Sequence, residues 1–175
     1  MKLLFALFAA LFSAQDHDKP PEKAAPYYPT PQVVVEKMLQ LGELKKGEKL
    51  YDLGSGDGRI VLMAAQKFQA KAVGVELDPA LVQQSRERIT KLGLQSSASI
   101  IEGDLFKQNY SDADLITVYL LPITNIRLSP IIEKMMKHGS RLVCHDFEFT
   151  EWNPEKTITM EDQEGRSHTL FLYRR

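Results

Sequence analysis

The chain has 175 residues, 43% of them hydrophobic and 26% charged, and this length and composition fit one globular domain with a substantial core. Its net charge of −1 gives no overall attraction to nucleic acid or to an anionic membrane. The single cysteine, Cys144, excludes an intrachain disulfide and a zinc cluster, and its position in an apolar run predicts a buried small hydrophobic residue.

The first 25 residues are predicted to lie outside the folded domain. Residues 1–14 carry one positive charge before an apolar run, the form of a secretory signal peptide, and are too short for stable membrane insertion. Residues 15–25 are charged and contain two prolines, which is typical of a linker. The domain is therefore expected to span residues 26–175. The protein is expected to be exported (periplasmic or secreted) if the signal peptide works, and cytoplasmic otherwise.

Two aromatic residues, Tyr27 and Tyr28, stand among three prolines in residues 26–31. A linker needs neither this stiffness nor these rings, so we expect the segment to form a lid over a ligand. The alternative is a helix start with aromatic packing. Thr30 is expected to cap a helix that begins at Pro31 and ends before Gly42.

The run of residues 50–58, Leu-Tyr-Asp-Leu-Gly-Ser-Gly-Asp-Gly, predicts a strand followed by a glycine loop, and a helix is expected from Arg59. Glycines allow positive φ and let a ligand approach the backbone without a Cβ in the way. The helix start offers unpaired N–H groups. We therefore expect this loop to hold a ligand against its backbone.

The ligand is expected to contain a ribose, because Glu76 ends the next predicted strand, twenty-two residues after Gly54. The loop reads G-x-G-x-G rather than the dinucleotide pattern G-x-G-x-x-G, with Asp52 before it and Asp57 inside it. Two acidic groups would repel a pyrophosphate but suit a ligand with a cationic amino-acid end. S-adenosylmethionine has an ammonium and a sulfonium beside its ribose, so the pattern favours a methyltransferase over a dehydrogenase.

Further strands are expected to bring more residues to the same edge of the sheet. Asp78-Pro79 is a helix start, and the strand at residues 98–101 leads to Asp104 and Leu105. Ligands in open α/β sheets lie outside the carboxyl ends of the strands. Asp104 is therefore expected to accept a hydrogen bond from an adenine amino group, the alternative being an ordinary turn residue.

The strand at residues 113–121 should face the reacting methyl group and ends in Tyr-Leu-Leu-Pro. Methyltransferases of nucleic-acid bases usually place Asn or Asp, two prolines and an aromatic residue there, so base methylation loses its main support. Tyr119 is the candidate for the acceptor pocket, with Tyr28 and Trp152 as possible walls.

The rest of the chain predicts a helix over residues 125–137 and strands over residues 141–147, 156–160 and 167–173, the last two forming a hairpin. His145 and His168 lack the spacing of metal ligands, so no metal is expected, and at most one of them should line the pocket. The strand count is seven.

Several segments resemble the small class I protein-lysine methyltransferases, the archaeal broad-specificity enzymes and their mitochondrial relatives. They are Tyr-Pro-Thr-Pro at 28–31, Tyr-Asp-Leu-Gly-Ser-Gly-Asp-Gly-Arg at 51–59, Gly-Val-Glu at 74–76, Glu-Gly-Asp-Leu-Phe at 102–106, and Arg-Leu-Val-Cys-His-Asp-Phe-Glu-Phe…Trp-Asn-Pro at 141–154. The likeness covers roughly residues 26–173. Two features depart from it: the predicted signal peptide, and Pro122 after the strand that faces the methyl group.

The resemblance implies an α/β fold, a Rossmann-like seven-stranded, mostly parallel sheet with helices on both faces and a C-terminal antiparallel hairpin. It implies S-adenosyl-L-methionine as donor and lysine ε-amino groups of proteins as acceptors, without specific binding of nucleic acid. A monomer is expected. The residues expected to contact the cofactor are Tyr28, Thr30, Asp52, Gly54, Ser55, Gly56, Asp57, Glu76, Asp104 and Leu105. Two alternatives stay open: a small-molecule methyltransferase and a non-catalytic adenosyl-ligand binder.

Overall fold

The computed structural model describes residues 27–175, so the predicted signal peptide and linker lie outside the described residues. Within that range the chain forms four α-helices and seven strands. The helices are α1 Gln32–Leu41, α2 Arg59–Lys67, α3 Pro79–Lys91 and α4 Pro122–Met135. The strands are β1 Lys49–Leu53, β2 Lys71–Glu76, β3 Ala98–Glu102, β4 Leu115–Val118, β5 Arg141–His145, β6 Lys156–Glu161 and β7 Ser167–Arg174.

The strands form one sheet in the order β3-β2-β1-β4-β5-β7-β6. Strands β1 to β5 are parallel, and β7 pairs antiparallel with both β5 and β6. The predicted fold class, a mostly parallel seven-stranded sheet with a C-terminal hairpin, is confirmed. The strand order reverses between β1 and β4, and a crevice at such a switch point is where open α/β sheets bind ligands.

Each face of the sheet has its own apolar core. Helices α1, α2 and α3 cover one face, where fully buried Val34, Val61 and Leu50 meet. Helix α4 covers the other face through fully buried Leu128 and Ile132. Alternate residues of the strands feed the two cores because successive side chains of a strand point to opposite faces. The sheet is thereby fixed between two layers of helices, and the ends of its strands hold the site.

Two local predictions were wrong. Helix α4 begins at Pro122, not near residue 125, because a proline at the first helical position has the required φ and lacks only an N–H that would be unpaired there. Thr30 does not cap α1, whose N-cap is Pro31 without a side-chain hydrogen bond. The Asp78 cap of α3 is confirmed, since its carboxylate accepts from the backbone N–H of Ala80 at 2.9 Å.

No helix within residues 27–175 has the combination of length and apolar character that crossing a bilayer requires.

Candidate active site

A cavity opens at the carboxyl ends of the central strands. It is lined by all the residues predicted for the site: Tyr28, Thr30, Asp52, Gly54, Ser55, Gly56, Asp57, Glu76, Asp104, Leu105 and Tyr119. These residues come from the N-terminal segment, from the glycine loop and from the ends of four strands. The structure thus brings together side chains spread over more than ninety residues of sequence, while their roles toward a ligand stay predictions.

The glycine loop has the left-handed backbone that its sequence predicts. Gly54, Gly56 and Gly58 have φ values of 75°, 54° and 76°. A Cβ at Gly56 would lie only 2.7 Å from the ring of Tyr27, so the aromatic lid segment touches the loop where a side chain is missing. The buried hydroxyl of Ser55 has no hydrogen-bond partner within the described part of the chain. A narrow glycine cradle with an unpaired hydroxyl fits a ligand held against the backbone.

Glu76 holds the loop as well as facing the cavity. Its Oε2 accepts from the backbone N–H of Gly56 at 2.8 Å, and its Oε1 accepts from those of Leu77 and Asp78 at 2.8 and 2.9 Å. A carboxylate has about four lone-pair positions, so a ribose hydroxyl can still donate to it. The predicted ribose contact is therefore compatible with a carboxylate that is already fixed in place.

Asp52 is the buried acid of the cavity. Its Oδ1 accepts from the Thr117 hydroxyl at 2.8 Å, and only 3% of the residue is exposed. Burial raises the pKa of Asp52 to about 7, and the negative charges of Glu76 and Asp57 act in the same direction against the Thr117 hydrogen bond. A cation bound nearby would relieve this cost, which is the environment expected for the cationic end of S-adenosylmethionine.

Asp57 differs from the sequence-based expectation, since its charge is already neutralised within the protein. Arg59 donates to both carboxylate oxygens at 2.9 and 3.0 Å, and Arg88 donates to Oδ2 at 2.8 Å. Burial opposes ionisation, but these two guanidinium groups hold the pKa of Asp57 below its usual range. Asp57 therefore ties the loop to α2 and α3, and Asp52 remains as the acid that faces a ligand's cation.

Asp104 has the geometry of a turn residue at the edge of the cavity. Its Oδ1 accepts from the backbone N–H of Phe106 at 2.9 Å and caps the short 3-10 turn Leu105–Lys107. The other oxygen lies 3.9 Å from the Lys107 ammonium. Both interpretations of Asp104 are thus met: it caps a turn, and it lines the cavity where an adenine is expected.

Tyr119 is fixed at the mouth of the cavity by residues that follow β5. Its ring packs on His145 with centroids 3.9 Å apart, and its hydroxyl donates to Asp146 Oδ2 at 3.3 Å. Asp146 has a left-handed φ of 58°, and its Oδ1 accepts from the backbone N–H of Thr169 at 3.0 Å. Burial raises the pKa of Tyr119, so the phenol stays protonated.

Arg166 joins the lid to the acceptor side of the cavity, and no sequence pattern indicated it. It lies in the β6–β7 turn, where Asp162 Oδ1 accepts from the backbone N–H groups of Glu164 and Arg166 at 2.9 Å each. Its guanidinium lies 4.9 Å from the centroid of the Tyr28 ring and donates to the Tyr119 hydroxyl at 3.2 Å. One arginine thus bridges two aromatic residues that line the cavity.

Two buried histidines link the same turn to Thr30. His168 Nε2 lies 3.0 Å from Asp162 Oδ2, His168 Nδ1 lies 2.8 Å from His145 Nε2, and His145 Nδ1 lies 3.2 Å from Thr30 Oγ1. Burial lowers the pKa of His145 to about 4, so its ring is neutral. This chain of hydrogen bonds explains why Thr30 does not cap α1.

The histidines and Asp146 lie close enough to suggest metal ligands, although their sequence spacing does not. The 2.8 Å between the two ring nitrogens is a hydrogen-bond distance. Two imidazoles on tetrahedral zinc would stand roughly 3.3 Å apart at ordinary bond lengths. The geometry therefore fits a shared proton. Neither histidine belongs to the cavity lining formed by the described residues.

Trp152 is not a wall of the cavity. Its ring packs against Phe149 and Tyr173 with centroid distances of 5.4 and 5.8 Å, within the apolar core on the α4 side of the sheet.

Comparison with known proteins places this fold and cavity in a family. The model of the ANTKMT methyltransferase domain matches residues 52–156. A protein-lysine N-methyltransferase of Saccharolobus islandicus (strain REY15A) is 42% identical over 85% of this chain and 92% of its own length. The adenine nucleotide translocase lysine N-methyltransferase of Mus musculus is 32% identical over 89% of this chain and 67% of its own length. A human lysine N-methyltransferase named for ATP synthase is 33% identical over 74% of this chain, which spans only 55% of that relative.

Among solved structures, the chain is similar to the RNA methyltransferase from Salinibacter ruber in complex with S-adenosyl-L-homocysteine. The identity is 40%, the TM-score is 0.78, and the match covers 84% of this chain and 93% of that one. Because the family model covers more than half of the sequence and the archaeal relative is matched over nearly its whole length, the chain belongs to the ANTKMT methyltransferase domain family.

Proposed function

We propose that this methyltransferase transfers methyl groups to the ε-amino groups of lysines on the surface of protein substrates, with broad specificity. The observation that carries the proposal is the position of Tyr119 at an open cavity mouth, beyond a buried acid, Asp52, that suits a cationic donor. The Saccharolobus and mouse relatives, both named as lysine N-methyltransferases, support the choice of acceptor.

The predicted cofactor, S-adenosylmethionine, is confirmed by membership of the family and by the S-adenosyl-L-homocysteine bound to the Salinibacter relative. When bound, the cofactor supplies an electrophilic methyl group on a sulfonium, which an amine attacks in line. The protein's main contribution is alignment, which can supply about 7–11 kcal/mol. Asp52, Glu76 and the glycine loop are expected to hold the donor, and Tyr119 to hold the acceptor.

The acceptor lysine must be neutral to attack, whereas its ordinary pKa is about 10.4. A mouth of low polarity beside a sulfonium lowers that pKa. The protonated phenol of Tyr119 can then orient the amine through its oxygen lone pair. We therefore expect no dedicated general base.

Other acceptors have less support. The end of β4 reads Tyr-Leu-Leu-Pro and lacks the pattern of base methyltransferases, although the Salinibacter relative is described as acting on RNA. A small-molecule substrate would call for a cap, and residues 27–175 form a single sheet with its covering helices and no further layer over the cavity. We also propose that the enzyme acts as a monomer, and outside the cytoplasm if residues 1–14 work as a signal peptide.

The acceptor class is tested by incubating the enzyme with methyl-labelled S-adenosylmethionine, several unrelated proteins and transfer RNA, followed by mass spectrometry. Label is expected on exposed lysines of several proteins, at a rate that rises with pH as more amine becomes neutral. Tyr119→Phe keeps the ring on His145 but removes the hydroxyl. It should lower the rate about tenfold, the size of one lost hydrogen bond, with little change in cofactor affinity. Label confined to RNA would overturn the proposal.

The lid is tested by hydrogen exchange. Thr30 is anchored by His145 and by Arg59, which donates to its carbonyl at 2.8 Å, whereas Tyr27 and Tyr28 are at least half exposed. Because stiff prolines lower the ordering cost, S-adenosylhomocysteine should slow exchange at Tyr28 and Thr30. Exchange at Gly47, in a turn far from the cavity, should stay the same. Unchanged exchange at Tyr28 would leave the segment as a helix start with aromatic packing.

A further inference from the structure

We propose that the side chain of Arg166 occupies a cation-binding subsite that the acceptor lysine takes over when a substrate protein docks. This inference rests on the proposed lysine methylation and names the residues that recognise the lysine before it reacts. The subsite is formed by the face of Tyr28, the hydroxyl of Tyr119 and the carboxylate of Asp146.

Three parts of the chain converge on the guanidinium of Arg166. Tyr28 belongs to the N-terminal segment, Tyr119 follows β4, and Asp146 follows β5. The guanidinium lies 4.9 Å from the Tyr28 centroid, and one of its nitrogens lies 3.2 Å from both the Tyr119 and Asp146 oxygens. An aromatic face and a carboxylate both attract a cation, and a phenol oxygen accepts its proton donors. These groups would serve an ammonium as well as a guanidinium.

The subsite does not depend on Arg166 for its shape. Asp146 is fixed by the hydrogen bond from the Thr169 backbone and by its left-handed backbone, a conformation that Asp tolerates better than most residues. The ring of Tyr119 is fixed by its packing on His145. When Arg166 moves away, the carboxylate and the phenol remain in place for another cation.

Arg166 is held in a way that permits its displacement. Its side chain is 41% exposed, and exposed ion pairs contribute little to stability. The other groups near Asp146 Oδ2 are His145 Nε2 at 3.5 Å and His168 Nδ1 at 3.9 Å, and His145 is neutral. Arg166 is thus the cation that compensates Asp146 within the described residues. A lysine ammonium on a long flexible stem can replace it.

The internal cation has a consequence for selectivity. A site that is mostly filled by its own arginine binds an isolated lysine more weakly, in proportion to the fraction of time the site is free. A substrate that gains further contacts around the mouth overcomes this competition. Arg166 therefore favours lysines presented on a docked protein over free amines.

The test is an NMR titration of the protein, saturated with S-adenosylhomocysteine, with Nα-acetyl-lysine methylamide. Nα-acetyl-norleucine methylamide, which lacks the ammonium, is the matched control ligand. Arg166→Gln removes the competing cation and should tighten binding of the lysine ligand at least threefold. Asp146→Asn keeps the acceptor for Thr169 and tolerates the left-handed backbone, but loses the charge, and should weaken binding at least fivefold. Arg175→Gln, which breaks a remote surface ion pair, should have no effect.

Equal affinity of the lysine ligand for the wild type and both variants would overturn the subsite. Weaker binding to Arg166→Gln would also overturn it, because Arg166 would then only support Tyr28. Unchanged affinity for S-adenosylhomocysteine shows that each variant is folded, and Arg166→Gln decides alone if Asp146→Asn fails this check. Labelling of RNA in place of lysine would remove the proposed function. Lysine labelling with unaltered KM in both variants would remove only the subsite.

Discussion

Replacing Asp52 by asparagine is expected to raise the melting temperature of the cofactor-free protein near pH 8 by several degrees, and to weaken cofactor binding at least tenfold. Burial raises the pKa of Asp52 from 3.8 to about 7. The folded state therefore binds this proton more tightly than the unfolded state. The stability that follows is present below the unfolded pKa and is lost as the pH rises through the folded pKa.

The loss for the wild type near pH 8 is on the order of 4 kcal/mol, because each pH unit between the unfolded and the folded pKa corresponds to about 1.4 kcal/mol. Asparagine keeps an oxygen for the Thr117 hydroxyl but does not ionise. The difference in melting temperature should therefore shrink as the pH is lowered toward 5, which calorimetry measures directly.

Cofactor binding should change in the opposite direction, because a cation beside Asp52 stabilises the carboxylate that burial destabilises. Wild-type affinity for S-adenosylmethionine should rise between about pH 6 and pH 7 as Asp52 ionises, and that of Asp52→Asn should stay flat. Asp112→Asn, which changes an exposed acid paired with Lys49, is the matched control. A melting difference that is independent of pH, or equal cofactor affinity, would contradict this account of Asp52.

Replacing Glu76 by alanine is expected to lower the affinity for S-adenosylmethionine at least tenfold, about 1.4 kcal/mol. The change removes the predicted ribose contact and releases the backbone N–H groups of Gly56, Leu77 and Asp78, so that the glycine loop loses its anchor. Glu76→Gln keeps one accepting oxygen and should have an intermediate effect. Isothermal calorimetry measures both affinities.

Glu102 provides the control for Glu76, because it is the register partner of Glu76 on β3 and pairs with Arg86 outside the cavity. Glu102→Ala should therefore leave cofactor affinity unchanged. NAD should bind more weakly than S-adenosylmethionine to the wild type. If NAD bound better, or if Glu76→Ala bound the cofactor as tightly as Glu102→Ala, the assignment of the ribose site would be wrong.

The sequence was sufficient where the signal is local. The glycine loop, the carboxylate of Glu76 and the Asp78 cap depend on residues within one strand–loop–helix unit, and their geometry follows from φ preferences and strand ends. The order and direction of the strands followed from the same alternation of strands and helices.

The sequence was not sufficient where a partner comes from far along the chain. Arg88 reaches Asp57 across 31 residues, and Arg166 reaches Tyr119 across 47. Both arginines lie in polar segments, where a charged residue normally faces solvent. Thr30 was predicted as a helix cap because its local context allowed one, but its actual partner, His145, is 115 residues away.

The hydrogen-bonded histidines also have a direction. An ionised Asp162 can only accept, so His168 carries its proton on Nε2, and with both rings neutral His145 donates from Nε2 to His168. The bare Nδ1 of His145 then requires the Thr30 hydroxyl to donate, which turns the oxygen lone pairs of Thr30 away from that ring. The tautomers of two rings and the polarity of one hydroxyl at the cofactor cavity are thereby set by a single carboxylate in a hairpin turn at the edge of the sheet.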